Sequence, residues 1–245
     1  MKKWLIIPDT HWDATEELHP SYLLVKKFAK DFKPDGIIHL GDLFDFAYIA
    51  KFNKEKLRTI SGKTFRRDYD LGNREFDFWQ KVNRGGSFIV RQGNHDERVD
   101  RVIDKEPMLE GFIEVEDNLR FKERGIKYYR ETDSPTKLGK LHVIHGWYWT
   151  VHHAKKHLHQ FGGNIVYGHV HEVQTYTEYF PAFDGEVSAW CLGCLSDTQP
   201  AWHKGRPTRW AHAFGIVFIE PDGNFNLYTV RITNNQFIWD GHTFK

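Results

Sequence analysis

The chain has 245 residues, enough for one large domain with a full apolar core, and its apolar and charged fractions are 40% and 27%. The net charge of +1 argues against a protein that coats nucleic acid through bulk charge, although a local basic patch is compatible with it. Two cysteines do not make a disulfide framework, and the apolar run at residues 4–7 is too short for a signal peptide. No run approaches transmembrane length, so we expect a cytoplasmic protein without a membrane partner.

Strands and helices alternate in the first half of the chain. The run at 4–7 is a predicted strand, residues 16–32 have the apolar spacing of an amphipathic helix, and residues 37–40 are the next strand. This order is typical of a parallel strand–helix–strand unit. A further buried strand is predicted at 87–90. Helical patterns occupy three more segments, residues 73–82, 97–105 and 108–116.

The second half continues with two buried strands, at 141–144 and 165–167, and a helix between them at 152–161. Tyr128 and Tyr129 are placed in an edge strand. The remainder alternates apolar and polar residues in four segments that predict antiparallel strands, at 173–179, 186–192, 214–219 and 225–232. With no repeat and no linker, a single domain over residues 1–245 is the simplest prediction.

Residues 46–85 form the least regular part of the sequence and are predicted to be an insertion or lid. Within it, residues 51–67 carry seven basic side chains and one acidic one, with Phe52 and Phe65 interleaved. A solvated helix face and loop would account for this composition. The alternative is an arm that guides a phosphate-bearing substrate, in which Arg66 and Arg67 would contact nucleic acid.

Residue types that ligate metals follow five predicted strands at the point where each strand ends. Taken alone, a histidine or a Gly-Asp pair at such a place is most often structural. Their joint occurrence points to a metal site, because polar side chains at these strand ends face the crevice where open α/β sheets bind ligands. The donors are oxygen and imidazole nitrogen, which suit Mn, Fe, Zn, Co or Ni rather than Ca or a thiolate zinc site. The residues are Asp9, His11, Asp42, Asn94, His95, His145, His169 and His171.

Alternation along an extended segment bears on two pairs of these residues. Asp9 and His11 are two apart, as are His169 and His171. In an extended backbone the members of each pair point to the same side. Each pair could therefore bind one metal ion.

The motifs, taken in order, resemble those of the calcineurin-like metallophosphoesterases, and the whole chain looks like the phosphoesterases of phage and bacterial genomes. The resemblance implies an α/β fold, a four-layer α/β/β/α sandwich of two mixed sheets flanked by helices, with the metal site at the carboxyl ends of strands. The matching motifs are Asp9-Thr10-His11, Gly41-Asp42-Leu43-Phe44-Asp45, Gly93-Asn94-His95-Asp96, His145-Gly146 and Gly168-His169-Val170-His171.

The resemblance also implies two divalent cations, with Mn first and Fe, Zn, Ni or Co as alternatives. One cation would take Asp9, His11, Asp42 and His171, and the other Asp42, Asn94, His145 and His169, which makes Asp42 the bridge. A metal-bound hydroxide would then attack the phosphate in line. His95 is implied to lie beside the phosphate as general acid, and Asp45 to hold His95 in its cationic form.

The sequence departs from the protein phosphatases of this superfamily after the second motif. Those enzymes continue Asp-Arg-Gly and bind phosphate through that arginine, whereas this chain continues Asp45-Phe46-Ala47. Arg91 and Arg98 flank the central motif and could take over phosphate binding, or could be surface ion-pair residues. We therefore expect a phosphodiester substrate, from DNA, RNA or a nucleotide. A broad phosphomonoesterase and a non-catalytic scaffold or polymerase accessory subunit are the alternatives.

Three other groups of residues have simpler explanations. Cys191 and Cys194 lie in an apolar stretch and are expected in the core. The histidines of the helix at 152–161 are expected on a solvated face, with a further metal site as the alternative. The tryptophans are mostly core candidates, except that those between Ser196 and Trp210 could line the cleft and stack on a base.

Overall fold

The computed structural model describes residues 1–53, 55–183 and 185–245. These residues form a mixed α/β structure with two large sheets and a separate two-stranded hairpin. The helices are α1 Pro20–Phe32, α2 Leu57–Ile60, α3 Phe65–Asn83, α4 Glu97–Ile103, α5 Val115–Asn118 and α6 His153–Phe161. The strands are β1 Lys2–Ile7, β2 Gly36–His39, β3 Ser87–Arg91, β4 Lys127–Tyr129, β5 Thr136–Leu138, β6 Leu141–Val143, β7 Ile165–Tyr167, β8 Val173–Phe180, β9 Gly185–Leu192, β10 His212–Ile219, β11 Phe225–Ile232, β12 Phe237–Trp239 and β13 His242–Phe244.

The first sheet has six strands in the order β11-β10-β1-β2-β3-β4. Strands β1 to β4 are parallel, and β10 joins β1 in antiparallel orientation. The carboxyl ends of β1, β2 and β3 therefore meet at one edge of the sheet. The predicted edge strand at Tyr128 and Tyr129 is confirmed as β4.

The second sheet has five strands in the order β5-β6-β7-β9-β8. Its central strands β6, β7 and β9 are parallel, and the two outer strands are antiparallel to their neighbours. The alternating segments of the sequence became β8 to β11, as their polar and apolar spacing predicts. Short strand β5 and the hairpin β12–β13 are not among the predicted elements, because three-residue strands leave little periodicity to detect.

Three apolar clusters define four layers. Leu5 and Ile37 of the first sheet face α1 and α3, whereas Ile6 and Ile38 of the same strands face the second sheet. On the outer face of the second sheet, α6 packs against the strands through a third cluster, which includes Leu158. Helices, sheet, sheet and helix thus stack in the predicted α/β/β/α order, and the fold prediction is confirmed. None of the described helices combines the length and apolar character needed to cross a membrane.

The segment at 46–85 divides into two parts. Its second part is α3, whose Phe76 and Trp79 are buried in the core, so this helix is a structural layer and not a lid. Its first part holds two single-turn 3₁₀ helices, Ala47–Ile49 and Lys51–Asn53, and α2. The predicted basic arm includes Lys54, which lies outside the described residues. A lid or arm at 46–64 stays a prediction.

Candidate metal centre

Three parallel strands of the first sheet and two of the second end close to the candidate donors. Asp9, Asp42 and Asn94 follow β1, β2 and β3, and His145 and His169 follow β6 and β7. Backbone hydrogen bonds tie these loops together: Thr10 and His11 both donate N–H to the Asp42 carbonyl, at 3.1 and 3.0 Å. The carboxyl edges of the two sheets therefore enclose a common crevice, as expected for a ligand site in an α/β fold.

The predicted ligands form two donor groups, each with ligand atoms within 4.8 Å of one another: Asp9, His11, Asp42 and His171 in the first, and Asp42, His145 and His169 in the second. His11 has the same spacing to His95 and Asp45, and these three make a further possible cluster. In the first donor group, the Nε2 atoms of His11 and His171 are 3.0 Å apart. Two ligands held ~2.1 Å from one ion at right angles would lie ~3.0 Å apart, so this spacing suits a shared cation.

Asn94 completes the second group. Its Oδ1 lies 3.0 Å from His145 Nε2 and 2.8 Å from His169 Nδ1, and these two nitrogens are 3.2 Å apart. His145 Nδ1 is 3.0 Å from the Leu40 carbonyl, which can only accept a hydrogen bond. In its neutral form His145 therefore carries its proton on Nδ1 and turns an unprotonated Nε2 toward Asn94, as in histidines oriented for metal binding. Burial lowers the pKa of His145, but the charge of Asp42 outweighs burial and raises this pKa to about 10, so a cation at Nε2 must displace a proton.

Asp42 belongs to both groups. Its Oδ2 lies 3.6 Å from His11 Nε2 and 3.5 Å from His145 Nε2, and its Oδ1 accepts the backbone N–H of His95 at 2.8 Å. Burial would raise the pKa of Asp42, but His145 and His95 outweigh burial and hold it well below its usual range. One carboxylate oxygen thus faces both donor groups, the arrangement expected of a bridging ligand.

The described residues satisfy the buried carboxylate of Asp9 only in part. Its Oδ2 accepts the His169 N–H at 2.9 Å, whereas Oδ1 is buried, has no hydrogen-bond partner within the described part of the chain and lies 3.5 Å from His145 Nδ1. Burial, reinforced by the Asp42 charge, raises the pKa of Asp9 to about 7 despite nearby His145. A cation beside Oδ1 would satisfy this atom and keep the group ionised. The residues present therefore fit a pair of divalent ions.

Backbone conformation, rather than strand alternation, aims several of these side chains. His11, Asp42, His169 and His171 all have positive φ, from 44° to 67°. The alternation argument that His169 and His171 share a centre is wrong: they fall into different groups, as the resemblance implied, because a left-handed backbone replaces the extended one that alternation assumes. A left-handed residue other than glycine costs about 1–3 kcal/mol, and such strain concentrates at functional sites.

Two glycines leave room for the carboxylates. A Cβ on Gly93 would lie 2.2 Å from Asp42 Oδ1, and one on Gly168 would lie 2.4 Å from Asp9 Oδ2. These distances are far below van der Waals contact. The first glycines of the motifs Gly93-Asn94-His95-Asp96 and Gly168-His169-Val170-His171 are thus needed for the close approach of the acidic ligands.

Gly168→Ala is expected to lower metal affinity by roughly 10–100-fold, the loss typical when a group that orients a ligand is removed. The added methyl group must displace the Asp9 carboxylate. Titration of metal-depleted protein with Mn²⁺, followed by calorimetry, measures the change. Gly163→Ala is the matched control, because its Cβ would meet only the Phe161 ring at 3.3 Å. Unchanged Mn²⁺ affinity in Gly168→Ala would show that Asp9 is not held where the structure puts it.

His95, Asp45 and Arg98 lie beside the first donor group. His95 Nδ1 is 3.0 Å from Asp45 Oδ1 and 3.1 Å from the Asp45 carbonyl, and its ring centre is 4.5 Å from that of His11. Burial lowers the pKa of His95, but Asp42 and Asp45 outweigh it and the net direction is upward. For Asp45, burial is outweighed by the His95 hydrogen bond and by His11, and its pKa falls to about 2. The predicted His95–Asp45 pair is thus formed.

Arg98 contacts the same histidine from the other side. Its Nη2 is 2.9 Å from His95 Nε2, and its Nη1 donates to the Asp45 carbonyl at 2.6 Å. A guanidinium group only donates, so His95 Nε2 accepts in this arrangement and the ring is neutral. This differs from the cationic His95 that its raised pKa favours. A protonated Nε2 would require Arg98 to turn toward another acceptor.

The other predicted substrate-binding arginines are not placed at the donor groups. Arg91 is buried, and its guanidinium donates to the backbone carbonyls of Ser134 and Arg130 at 3.1 and 3.2 Å. It anchors the turn before β5, so its assignment to phosphate binding is corrected. The sequence around Arg91, the end of a buried strand followed by a polar turn, did not indicate this structural role.

Arg66 and Arg67 are exposed on the first turn of α3. Arg66 Nε is 3.4 Å from Asp70 Oδ2 one turn along, and Arg67 donates to the Gly62 carbonyl at 2.8 Å. Arg66 lines a surface groove that also includes Phe112 and contains none of the candidate metal ligands. Their assignment to substrate binding at the metal centre therefore gains no support from these contacts.

Two histidines of α6 are buried, which corrects the predicted solvated face. His153 Nδ1 is 2.6 Å from the Tyr167 hydroxyl. His157 Nδ1 donates to the His153 carbonyl at 2.7 Å, so its Nε2 accepts the N–H of Trp147 at 2.9 Å. His157 therefore holds the loop that follows His145. Cys191 and Cys194 are free and buried, as predicted.

Three contributors to the site were missed or left open by sequence reasoning. Asp96 accepts the N–H groups of Leu43 and Gly93, at 3.1 and 3.0 Å, and so joins the two central loops. The centre of the Trp210 ring lies 4.2 Å from the centre of the His171 ring, and the centre of the exposed Trp149 ring lies 5.8 Å from that of His169. The fourth residue of the Gly-Asn-His-Asp motif was the available signal for Asp96.

No protein-family model matches the chain. The Gene 54 protein of Mycobacterium phage D29 is 24% identical over 264 aligned positions, which cover 100% of this chain and 99% of the phage protein. Two crystal structures of Vps29 are similar at 12% identity. A single mutant from Entamoeba histolytica has a TM-score of 0.46 and covers 98% of this chain and 95% of its own. The protein from Chaetomium thermophilum has a TM-score of 0.49, with 96% and 93% covered. Function is therefore inferred from the site itself.

Proposed function

We propose that this chain is a dinuclear, metal-dependent phosphoester hydrolase whose substrates are phosphodiesters of nucleic acid or nucleotides. The observation that carries the proposal is the position of Asp42 Oδ2, 3.6 Å from His11 Nε2 and 3.5 Å from His145 Nε2. Two donor groups that share one carboxylate would hold two ions close together. Such ions, when bound, lower the pKa of water, polarise the phosphoryl group and clamp its oxygens.

The charge of the donor set favours an anionic substrate. Asp9 and Asp42 are the only carboxylates in the two donor groups, and the other members are the Asn94 amide and imidazoles, which are neutral when they ligate a metal. Four positive charges from two divalent ions would exceed two negative ones, leaving a cationic pit. A phosphate ester placed there would be attracted by the net charge and oriented by the residues around the pit.

His95 and Arg98 supply the donors for the ester. In the structure Arg98 donates to His95 Nε2, and Asp45 fixes the opposite edge of the ring. A phosphate ester offers oxygen acceptors that both Arg98 and a protonated Nε2 could share. We infer that Arg98 moves its hydrogen bond from His95 to a phosphate oxygen. The freed Nε2 of His95 then takes up a proton from water, as its raised pKa favours, and donates that proton to the leaving oxygen. Asp45 stabilises the imidazolium before that transfer.

The preference for a diester follows from the cationic side chains near the pit. Phe46 occupies the place where the related phosphatases carry arginine, and it is buried in the core. Of the four arginines predicted to bind substrate, only Arg98 contacts the His95–Asp45 pair. A diester carries one negative charge at its phosphate and a monoester up to two, so a single arginine suits the diester better.

A substrate panel tests this proposal. Metal-depleted protein is reloaded with Mn²⁺, Ni²⁺, Co²⁺ or Zn²⁺, and hydrolysis of bis-p-nitrophenyl phosphate and p-nitrophenyl phosphate is compared while bound metal is counted. We expect about two ions per chain and faster hydrolysis of the diester. A wide preference for the monoester would overturn the diester assignment. Two bound ions without hydrolysis of any ester, including oligonucleotides and cyclic nucleotides, would favour a non-catalytic scaffold.

A further inference from the structure

An exposed tryptophan lies close to the candidate metal centre. The loop at 197–210, which we call the tryptophan loop, carries Trp202 with 67% of its surface exposed. The centre of the Trp202 ring is 5.7 Å from the centre of the Trp210 ring, which is in turn 4.2 Å from the centre of the His171 ring. A single ring thus separates an open aromatic face from a candidate metal ligand. A single exposed aromatic side chain is ordinary on a protein surface, so the significance of Trp202 rests on its position beside the candidate metal ligands.

The tryptophan loop is held in shape by its own hydrogen bonds. The Thr208 hydroxyl donates to the Thr198 carbonyl at 2.8 Å and accepts from Gln199 Nε2 at 3.1 Å, which closes the loop at its base. Ala211 N–H donates to the His171 carbonyl at 2.9 Å and ties the end of the loop to the metal-ligand segment. These bonds fix the two ends of the segment that carries Trp202 and place it next to the candidate metal ligands.

Charge around the pit is uneven. The tryptophan loop exposes Lys204 and Arg206 beside Trp202. A groove that includes His11 and the start of α1 is lined by acidic residues, among them Glu16, Glu17 and Asp197 at the first position of the tryptophan loop. A polyanion would be repelled from that groove and attracted to the basic part of the loop, at Lys204 and Arg206. Alternating basic and aromatic residues are typical of surfaces that follow a single-stranded nucleic acid.

We propose that the tryptophan loop is a stacking platform for a nucleobase of a single-stranded nucleic acid whose neighbouring phosphodiester enters the candidate metal centre. This inference rests on the proposed function and names its substrate. A ligand for this place must combine a planar face for Trp202 with an anionic group for the pit. A nucleotide within a strand has both, and the basic residues of the loop match the phosphates that follow.

The test measures binding and hydrolysis separately. A fluorescein-labelled oligothymidylate of about six nucleotides is bound to the metal-loaded full chain and followed by stopped-flow anisotropy before turnover. An abasic oligomer of the same length and charge reports binding without a base. Trp202→Ala is compared with Trp202→Phe, which keeps an aromatic face, and with Phe112→Ala. Phe112 is 72% exposed on the groove that Arg66 lines, so it is a matched exposed aromatic.

We expect Trp202→Ala to weaken oligothymidylate binding about 10-fold, as loss of one stacked base predicts, and to leave abasic binding unchanged. Trp202→Phe should restore most of the affinity, and Phe112→Ala should behave as wild type. Hydrolysis of methyl p-nitrophenyl phosphate, which has no base, should be the same in all four proteins. Equal binding of the base-containing and abasic oligomers by wild type, or an unaffected Trp202→Ala variant, would overturn the platform.

The outcome for the platform is distinguishable from the outcome for the activity. Hydrolysis of methyl p-nitrophenyl phosphate by wild type, together with base-independent binding, would overturn the stacking proposal and support the proposed phosphoesterase activity. Base-dependent binding that requires Trp202, without hydrolysis of any diester, would support the stacking proposal and overturn the proposed phosphoesterase activity. An equal loss of both oligomers in Trp202→Ala would point to altered charge placement and also count against stacking.

Discussion

Asp42→Asn is expected to reduce metal-dependent hydrolysis by at least roughly 10³-fold, the effect of losing several kcal/mol of charge stabilisation. The carboxylate faces both donor groups through Oδ2, so its replacement by an amide weakens both at once. Removing its negative charge also increases the repulsion between two neighbouring cations. Metal counting by mass spectrometry should find fewer than two ions per chain, where wild type is expected to hold two.

The same variant should lose the stabilisation that metal confers. An ion that binds only the folded state raises the free energy of unfolding in proportion to the logarithm of its concentration over its dissociation constant. Mn²⁺ should therefore raise the melting temperature of wild type but not of Asp42→Asn. Asp68→Asn is the matched control, because Asp68 is also buried and accepts the Ala14 N–H at 3.1 Å but belongs to neither donor group. Two ions and full turnover in Asp42→Asn would contradict the shared-ligand geometry.

Much of the fold could be predicted because buried parallel strands have a strong apolar signal. The strand predicted at 87–90 is Ser87–Arg91, and the one predicted at 165–167 is Ile165–Tyr167. The helix predicted at 16–32 begins later, at Pro20, where the ring of His19 accepts the Ser21 N–H and proline suits the first turn. Residues 108–116 are not one helix, because Pro107 begins a single 3₁₀ turn there and α5 starts only at Val115.

The family resemblance implied both the set of ligands and its division into two groups, but the local geometry that produces this division was not predictable. Strand ends bring Asp9, Asp42 and His145 together regardless of local detail, so topology alone was sufficient for them. The split between His169 and His171 depends on a left-handed backbone, which no periodicity reports. The side-chain environment of an arginine is likewise invisible in a sequence: Arg91 and Arg98 flank the same motif, and one is a buried anchor whereas the other contacts His95.

His95→Asn should lower the turnover of alkyl phosphodiesters by about 10²–10⁴-fold, the usual contribution of a general acid, without releasing metal. An alkoxide is a poor leaving group and needs the proton of His95, whereas p-nitrophenolate leaves readily without one. The loss should therefore be much smaller for bis-p-nitrophenyl phosphate than for a dialkyl ester or an oligonucleotide. The measurement is the ratio of the two losses, taken with Mn²⁺ content determined on the same samples.

Asp45→Asn provides the comparison for this variant. Asp45 contacts His95 Nδ1 at 3.0 Å on the edge of the ring opposite Nε2, so it positions the proton donor and is not expected to donate itself. Its loss should give the same dependence on the leaving group with a smaller amplitude, because the imidazole remains but is held and charged less well. A uniform loss for aryl and alkyl esters would assign His95 to phosphate binding. Unchanged hydrolysis of alkyl esters by His95→Asn would remove the residue from the chemistry altogether, and the Arg98 contact would then be only a structural one.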